Sequence, residues 1–207
     1  MNAVLPADPY NVIIAGVGGQ GNVMASRLLG NMLALDGIQV TIGETFGVSQ
    51  RGGSVMSHLR LSATSTWSPQ IPRGQAHVVI ALEPIEGLRV LAAYGNPDVR
   101  IICNTRPLHP VGVISGEMAY PSLEAIQGWM DELTTDVWFL DATEEAVKLG
   151  NPVFANIVLL GMAAGTGLLP LERDGLEAVL SVSLTADKVA SNLAAFDVGR
   201  ERAASPL

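Results

Sequence analysis

Asn11-Val-Ile-Ile-Ala15-Gly16-Val17-Gly18-Gly19-Gln20-Gly21-Asn22 is the stretch on which the fold of this chain turns. Asn11–Ala15 is a short β-branched run, the pattern of a buried parallel strand. The glycines that follow permit a tight turn. Beyond them Val23, Leu28, Leu29, Met32, Leu33 and Leu35 recur at helical spacing, which predicts a helix over 22–35. Asp36-Gly37 ends that helix, with glycine in its usual C-terminal role. Ile38–Ile42 reads as the next strand. Together these make one β-α-β unit, whose right-handed crossover sets the two strands parallel.

Working outward, Gly43–Gly53 is polar and glycine-rich and reads as a long surface loop, a place where function collects. Ser54–Ser62 alternates, with Val55, Leu59 and Leu61 on one face and Met56, His58 and Arg60 on the other. That pattern predicts a half-buried strand with a polar face. Strands are expected at His77–Leu82, Val99–Cys103 and Val137–Leu140, and a short edge strand at Val111–Ile114. Helices are expected at Glu83–Tyr94, with Pro84 in its first turn, and at Ser122–Leu133. The remainder reads helical: Glu144–Leu149, Val153–Thr166, Glu172–Ser181 and Thr185–Arg200. The class is therefore α/β: a Rossmann-like, mainly parallel sheet with helices on both faces and a helical C-terminal third. Residues 11–200 read as a single domain between tails at 1–10 and 201–207.

Hydrophobic residues make up 48% of the 207 positions and charged residues 15%, which leaves part of the surface suited to an interface. The net charge of −8 lacks the basic footprint of a nucleic-acid binder. A single cysteine, Cys103, excludes an intrachain disulfide and any cluster or zinc centre ligated by cysteines of this chain alone. Within its apolar run it reads as a buried strand residue. Met1–Tyr10 has neither a basic n-region nor a long apolar h-region, so no signal peptide is expected. The most apolar later stretch, Val153–Leu171, is broken by Gly161, Gly165, Gly167 and Pro170 and falls short of a membrane span. The expected location is cytoplasmic, without membrane or nucleic-acid contact.

Gly16-x-Gly18-x-x-Gly21, between a strand and a helix, has the context of a dinucleotide fingerprint. Free amides and the dipole at the helix start create an anion site there. Glu44, near the end of the second strand, is placed to hold a ribose hydroxyl in that reading. The alternative is a tight polar turn with another purpose, since Gly19 and Gln20 are unusual within the motif. The second loop, Glu44-Thr-Phe-Gly-Val-Ser49-Gln50-Arg51-Gly52-Gly53-Ser54, has no part in a dinucleotide fingerprint. Arg51 and the amides at Gly52–Ser54 suit a carboxylate or phosphate; alternatively Arg51 pairs with Glu44 to fix the loop.

Taken together, Gly16-Val-Gly-Gly-Gln-Gly21, Glu44 with Ser49-Gln-Arg-Gly-Gly-Ser54, and Ser57-His58-Leu-Arg60 resemble the gamma-type domain of the 2-oxoacid:acceptor oxidoreductases, the pyruvate/ketoisovalerate ferredoxin oxidoreductase group. Asn156-Ile-Val-Leu-Leu-Gly161 and Asn192–Arg200 extend the likeness across nearly the whole chain. Within the family the pattern is most similar to the indolepyruvate branch, with the phenylglyoxylate branch near. The resemblance implies a subunit of a complex that oxidatively decarboxylates a 2-oxoacid, with an aryl side chain in those branches, usually to an acyl-CoA. Electrons pass to ferredoxin or another acceptor such as NAD. It further implies that thiamine diphosphate, Mg and iron–sulfur clusters sit on larger partner subunits, and that coenzyme A is a co-substrate. This chain alone would then hold no cofactor or metal, carry no catalytic residue and be inactive in isolation.

The residues expected near substrate or cofactor are Gly16, Gly18, Gly19, Gln20, Gly21, Glu44, Gln50, Arg51, Gly52, Gly53 and Ser54, with Arg51 meeting an anionic group. His58 is expected to make structural hydrogen bonds, Arg60 a surface or interface ion pair, and Asn156 to be a buried polar anchor. Glu144-Glu145 read as first-turn acids of a helix. A stand-alone NAD- or flavin-binding oxidoreductase and a non-catalytic scaffold subunit remain as alternatives.

Overall fold

A computed structural model of the chain describes residues 5–46 and 53–204. Its strands are β1 (Tyr10–Val17), β2 (Gln39–Phe46), β3 (Ser54–Ser62), β4 (Val78–Ala81), β5 (Arg100–Asn104) and β6 (Asp136–Leu140). The helices are α1 (Asn22–Leu35), α2 (Pro84–Tyr94), α3 (Val111–Ile114), α4 (Leu123–Leu133), α5 (Ala142–Lys148), α6 (Ala155–Gly165), α7 (Arg173–Ser181) and α8 (Ala186–Ala203). A 3-10 turn at Pro152–Phe154 leads into α6.

The strands form one sheet in the order β2-β3-β1-β4-β5-β6. β1, β4, β5 and β6 pair in parallel, while β3 runs antiparallel to both of its neighbours. The fold is thus the α/β, mainly parallel arrangement expected, with one revision. β1 and β2 do point the same way, but β3 is inserted between them. β2 and β3 form an antiparallel pair from Gln39↔Ser62 to Phe46↔Val55, so the second strand runs four residues past Ile42. The long loop expected at 43–53 is, over its first four positions, sheet; its central residues 47–52 lie outside the described ones.

Alternate residues of the central strands point to opposite faces, and each face has its own core. Val12, Ile14, Leu59, Leu61 and Ile80 pack against α1, α6 and α8, with Leu29, Ile157 and Phe196 fully buried. Ile13, Ala15, Val79, Ile101 and Cys103 pack against α2 and α4 through Val90, Ile126 and Met130. Cys103 is buried, as its apolar run predicts. α6 is apolar on every side because α8, α1 and the sheet surround it.

Three local expectations are revised. Val111–Ile114 is a helical turn, not an edge strand: Pro110 precedes it, and the Val113 and Ile114 amides both donate to the Pro110 carbonyl. β3 is not half-exposed, since His58 and Arg60 are buried. The segment between β3 and β4 folds over that face, where the Ile71 amide donates to His58 Nδ1 at 3.3 Å. Arg60 makes no surface ion pair among the described residues. It donates to Asn11 Oδ1 and to the Ser68 carbonyl and lies 4.9 Å from the Trp67 ring. Glu144 and Glu145 do sit in the first turn of α5, beneath an Asp141 cap.

Candidate functional site

Parallel β1, β4 and β5 end at one edge of the sheet, where α/β proteins place their ligands. The Gly16–Gly21 turn caps β1 there. Gly19 and Gly21 adopt left-handed backbone angles (φ 104° and 84°), which explains glycine at both. Gly16 is explained by crowding. A Cβ there would lie 2.7 Å from Gln20 Oε1, 2.8 Å from Asn22 Oδ1 and 3.0 Å from Leu82 Cβ.

Gln20 is the centre of the turn. Its Oε1 accepts from the Val17 amide at 2.8 Å and its Nε2 donates to the Leu82 carbonyl at 3.0 Å. The side chain thereby ties the end of β1 to the end of β4. The Gln20 amide closes onto the Val17 carbonyl, and the Gly18 amide donates to the Gly53 carbonyl at 2.8 Å. Ser54 pairs with Val17 in the sheet. The structure therefore brings Gly16, Gly18, Gly19, Gln20, Gly21, Gly53 and Ser54 together. Gln50, Arg51 and Gly52 lie outside the described residues.

Glu44 is not in this group. It pairs with Ser57, which pairs with Ile14, so a whole strand separates it from β1. Two strand spacings amount to ~10 Å, and Glu44 lies level with Ile14, about 10 Å short of the end of β1 at Val17. A ribose-binding acid must follow the strand beside the first one; here β3 occupies that place. The Val17, Gly18 and Gln20 amides are also engaged internally, by Gln20 Oε1 and the Gly53 and Val17 carbonyls, which leaves fewer donors for a pyrophosphate. Both features weigh against a dinucleotide on this turn.

Two cavities flank the same sheet edge. The larger, of about 420 Å³, is lined by the glycine turn together with Asn104, Arg106, Thr143 and Asn156. Asn104 is fully engaged: Nδ2 donates to the Leu82 carbonyl and Thr143 Oγ1, and Oδ1 accepts from the Ala142 amide. Asn156 is buried as expected, but neither atom of its amide has a hydrogen-bond partner among the described residues. The smaller cavity, of about 230 Å³, lies on the opposite side, among Val17, Ser54, Glu83, Arg89 and Tyr120.

Glu83 and Tyr120 were not among the residues the sequence marked out. Glu83 follows β4, is 1% exposed and caps α2 by accepting from the Glu86 amide at 3.0 Å. It also accepts from the Leu108 amide and the Tyr120 hydroxyl, which clasps the segment after β5 onto the sheet edge. Burial, then the bond and charge of Glu83, hold the Tyr120 phenol far above its ordinary range. Burial and the same carboxylate push the Cys103 thiol up, so it stays protonated. The available signal for Glu83 was its position, a carboxylate directly after a parallel strand and just before Pro84. No group of three or more metal-binding side chains occurs among the described residues.

This edge, with its closed glycine turn and two polar cavities, sits on an α/β scaffold shared with oxidoreductase subunits. In a 2-oxoglutarate:ferredoxin oxidoreductase from Magnetococcus marinus, whose structure holds 2-oxoglutarate, coenzyme A and succinyl-CoA, the likeness covers 96% of this chain and 31% of that longer one (TM-score 0.73, 19% identity). The gamma subunit of a keto/oxoacid ferredoxin oxidoreductase from Geobacter sulfurreducens matches over 94% of this chain and 98% of its own (TM-score 0.65, 20% identity). In sequence, residues 11–202 match the pyruvate ferredoxin/flavodoxin oxidoreductase family, to which this chain belongs. The indolepyruvate oxidoreductase subunit IorB of Pyrococcus horikoshii is 36% identical over 199 residues, covering 96% of this chain and 98% of that protein. The gamma subunit of NADH-dependent phenylglyoxylate dehydrogenase from Aromatoleum evansii is 27% identical over 79% of this chain and 78% of its own. The chain is thus a gamma-type subunit of the 2-oxoacid oxidoreductases.

Proposed function

We propose that this chain is the small subunit of a thiamine diphosphate-dependent, iron–sulfur 2-oxoacid:acceptor oxidoreductase acting on an aryl 2-oxoacid of the indolepyruvate type. The observation that carries this reading is the 36% identity to an indolepyruvate oxidoreductase subunit along almost the full length of both chains. The reaction releases CO2 and yields an acyl-CoA, with coenzyme A as co-substrate and ferredoxin or NAD receiving the electrons. Thiamine diphosphate, Mg and the clusters belong to larger partner subunits. Cys103, buried and protonated, is unsuited to ligate a cluster. Residues 11–200 act as one domain, with β1 beginning one residue earlier at Tyr10 and α8 running three residues further to Ala203 rather than leaving tails there, and the complex works in the cytoplasm. No helix among the described residues is long and apolar enough to cross a membrane.

In this reading the glycine turn and the segment from Gln50 to Ser54 form one wall of a site that a partner completes. The Gly18–Gly53 hydrogen bond supports it by joining the two segments. Arg51 meets an anionic group of substrate, coenzyme or partner.

The test is capture of this chain with its partners from its own host, followed by native mass spectrometry and cofactor analysis. The complex is expected to contain thiamine diphosphate and iron–sulfur clusters and to reduce ferredoxin with indolepyruvate and coenzyme A. The isolated chain is expected to do neither. Decarboxylation of 2-oxoacids by the isolated chain, or a large subunit fully active without it, refutes the proposal.

A further inference from the structure

A groove of about 760 Å³ lies between α1, the start of α6 and the turn from α7 into α8, and it meets the glycine turn only at Gly21. α1 gives it one face, Met24, Arg27, Leu28 and Asn31, spaced by three and four residues. Val179, Leu180 and Leu184 line it where α7 passes into α8, and Lys188, Ser191 and Asn192 face it from the first turns of α8. Leu28 and Ile157 are buried at its base, whereas Met24 and Val153 stay 49% and 58% exposed. A concave run of apolar side chains that the fold leaves open to solvent marks a binding surface more often than chance.

The lining is divided along its length. From Gly21 to Asn31 the chain rises about 15 Å along the α1 axis. The end near Gly21 holds Val23, Met24, Val153 and Phe154 and no charge; Val153 is placed at that end because it flanks Gly21 in the neighbouring cavity as well. Arg27 and Asn31 stand toward the other end of α1. Arg27 and Lys188 are the charged residues of the lining, which contains no carboxylate, although 20 acidic residues outnumber 12 basic ones in the chain. Both are exposed, and neither makes an ion pair among the described residues. Their charges are therefore open to a ligand at no cost to the fold.

We propose that this groove binds an aliphatic carboxylate, a fatty acid of medium chain length, with its carboxylate at Arg27 and Lys188 and its hydrocarbon chain against the apolar side chains. The volume falls within the range of ordinary ligand pockets. Apart from Phe154 the apolar lining is aliphatic, and the groove is long, which suits a flexible extended chain better than a flat ring system. The two oxygens of one carboxylate are satisfied by the guanidinium fork and the ammonium together. A cation is repelled by the same pair, and a neutral chain leaves both charges unanswered. The inference goes beyond the proposed function: apart from Gly21 it uses no residue of the partner-completed wall, and it holds whether or not that complex forms.

The experiment is calorimetric titration of the full-length chain with decanoate below its micelle concentration, alongside octanoate, decanol and decyltrimethylammonium, with thermal melts of every variant. Decanoate is expected to bind saturably. Octanoate is expected to bind about tenfold more weakly, since each buried methylene removed costs roughly three- to fourfold in affinity. Decanol and the ammonium are expected to bind about tenfold more weakly than decanoate or worse, because neither answers the two cations. Arg27→Gln and Lys188→Gln, both exposed changes, are each expected to weaken decanoate about two- to fivefold and to leave decanol binding and the melting temperature unmoved. Met24→Glu puts a carboxylate in the apolar end, at a first-turn position where a helix favours an acid, and is expected to abolish decanoate binding without lowering the melting temperature. The proposal is overturned by the absence of saturable decanoate binding, or by decanol or the ammonium binding as tightly as decanoate. Octanoate binding as tightly as decanoate also overturns it, as does an affinity for decanoate that the glutamine substitutions together leave unchanged.

Discussion

Replacing Gly199 with alanine separates helix propensity from helix packing, and the two predict opposite signs. Gly199 lies within α8, where Ala is favoured over Gly by about 1 kcal/mol. Propensity alone therefore predicts a more stable protein. The packing says otherwise. A Cβ at Gly199 would stand 1.9 Å from the Val158 carbonyl oxygen and 2.7 Å from the Met162 amide nitrogen, both backbone atoms of α6. No rotamer relieves that contact, so the helices must part by roughly 1.5 Å to restore ordinary van der Waals distances. Gaps of that size forfeit much of the dispersion energy between Ile157, Val158 and Leu160 on one helix and Leu193 and Phe196 on the other.

Overpacking of this kind costs ~1–3 kcal/mol and occasionally more. With rigid backbone on the opposing side we take about 4 kcal/mol, offset by about 1 kcal/mol of propensity. The net loss of about 3 kcal/mol lowers the melting temperature by roughly 6–12 °C in a chain of this size. Gly128→Ala is the matched control. It lies on the exposed face of α4 with nothing within 4 Å of its added methyl, and it should raise stability by about 0.4–1 kcal/mol. Thermal and urea unfolding followed by circular dichroism measure both. If Gly199→Ala is as stabilising as Gly128→Ala, the close approach of α6 and α8 described here is wrong.

Two further outcomes follow from the polar interior. His58 and His77 each accept a backbone amide on Nδ1, and burial, joined at His77 by Arg100, lowers both pKa values from 6.5. The unfolded chain therefore binds more protons just below pH 6.5, and stability present above that pH falls as pH drops through it. The slope reaches at most about 1.4 kcal/mol per pH unit for each histidine; urea midpoints that stay constant from pH 7 to 5.5 would count against it. Gln20→Ala removes the bridge between β1 and β4 and leaves the buried Val17 amide without its acceptor, at a cost of about 1–3 kcal/mol. Equilibrium denaturation checks this, and a variant as stable as the parent would show that the turn holds without its glutamine.

Much of the architecture was legible in the chain because local signals and tertiary demands agree there. α1 runs over 22–35 as its apolar spacing predicts, and β3 over 54–62 as its alternation predicts. The glycine turn was likewise legible as a turn, since φ values near 84° and 104° select glycine by sterics alone. Its chemical meaning was not. Gly-x-Gly-x-x-Gly records a backbone shape, and only the folded chain reveals that Gln20 fills the turn and that Gly53 closes onto it.

The sequence by itself determined the strand and helix succession everywhere but at Val111–Ile114, the burial of Cys103 and the pairing of two glycine-rich segments that marks the family. Tertiary structure decided which strand neighbours which. Alternation and β-branching report that a segment is extended and which face is apolar, but strand order depends on contacts far apart in the chain. The insertion of β3 beside β1 was therefore invisible, and with it the displacement of Glu44 from the glycine turn. The same holds for Glu83 with Tyr120 and for Asn156 beside Gly21: each is an ordinary residue in sequence, and only folding takes it out of water next to its neighbours.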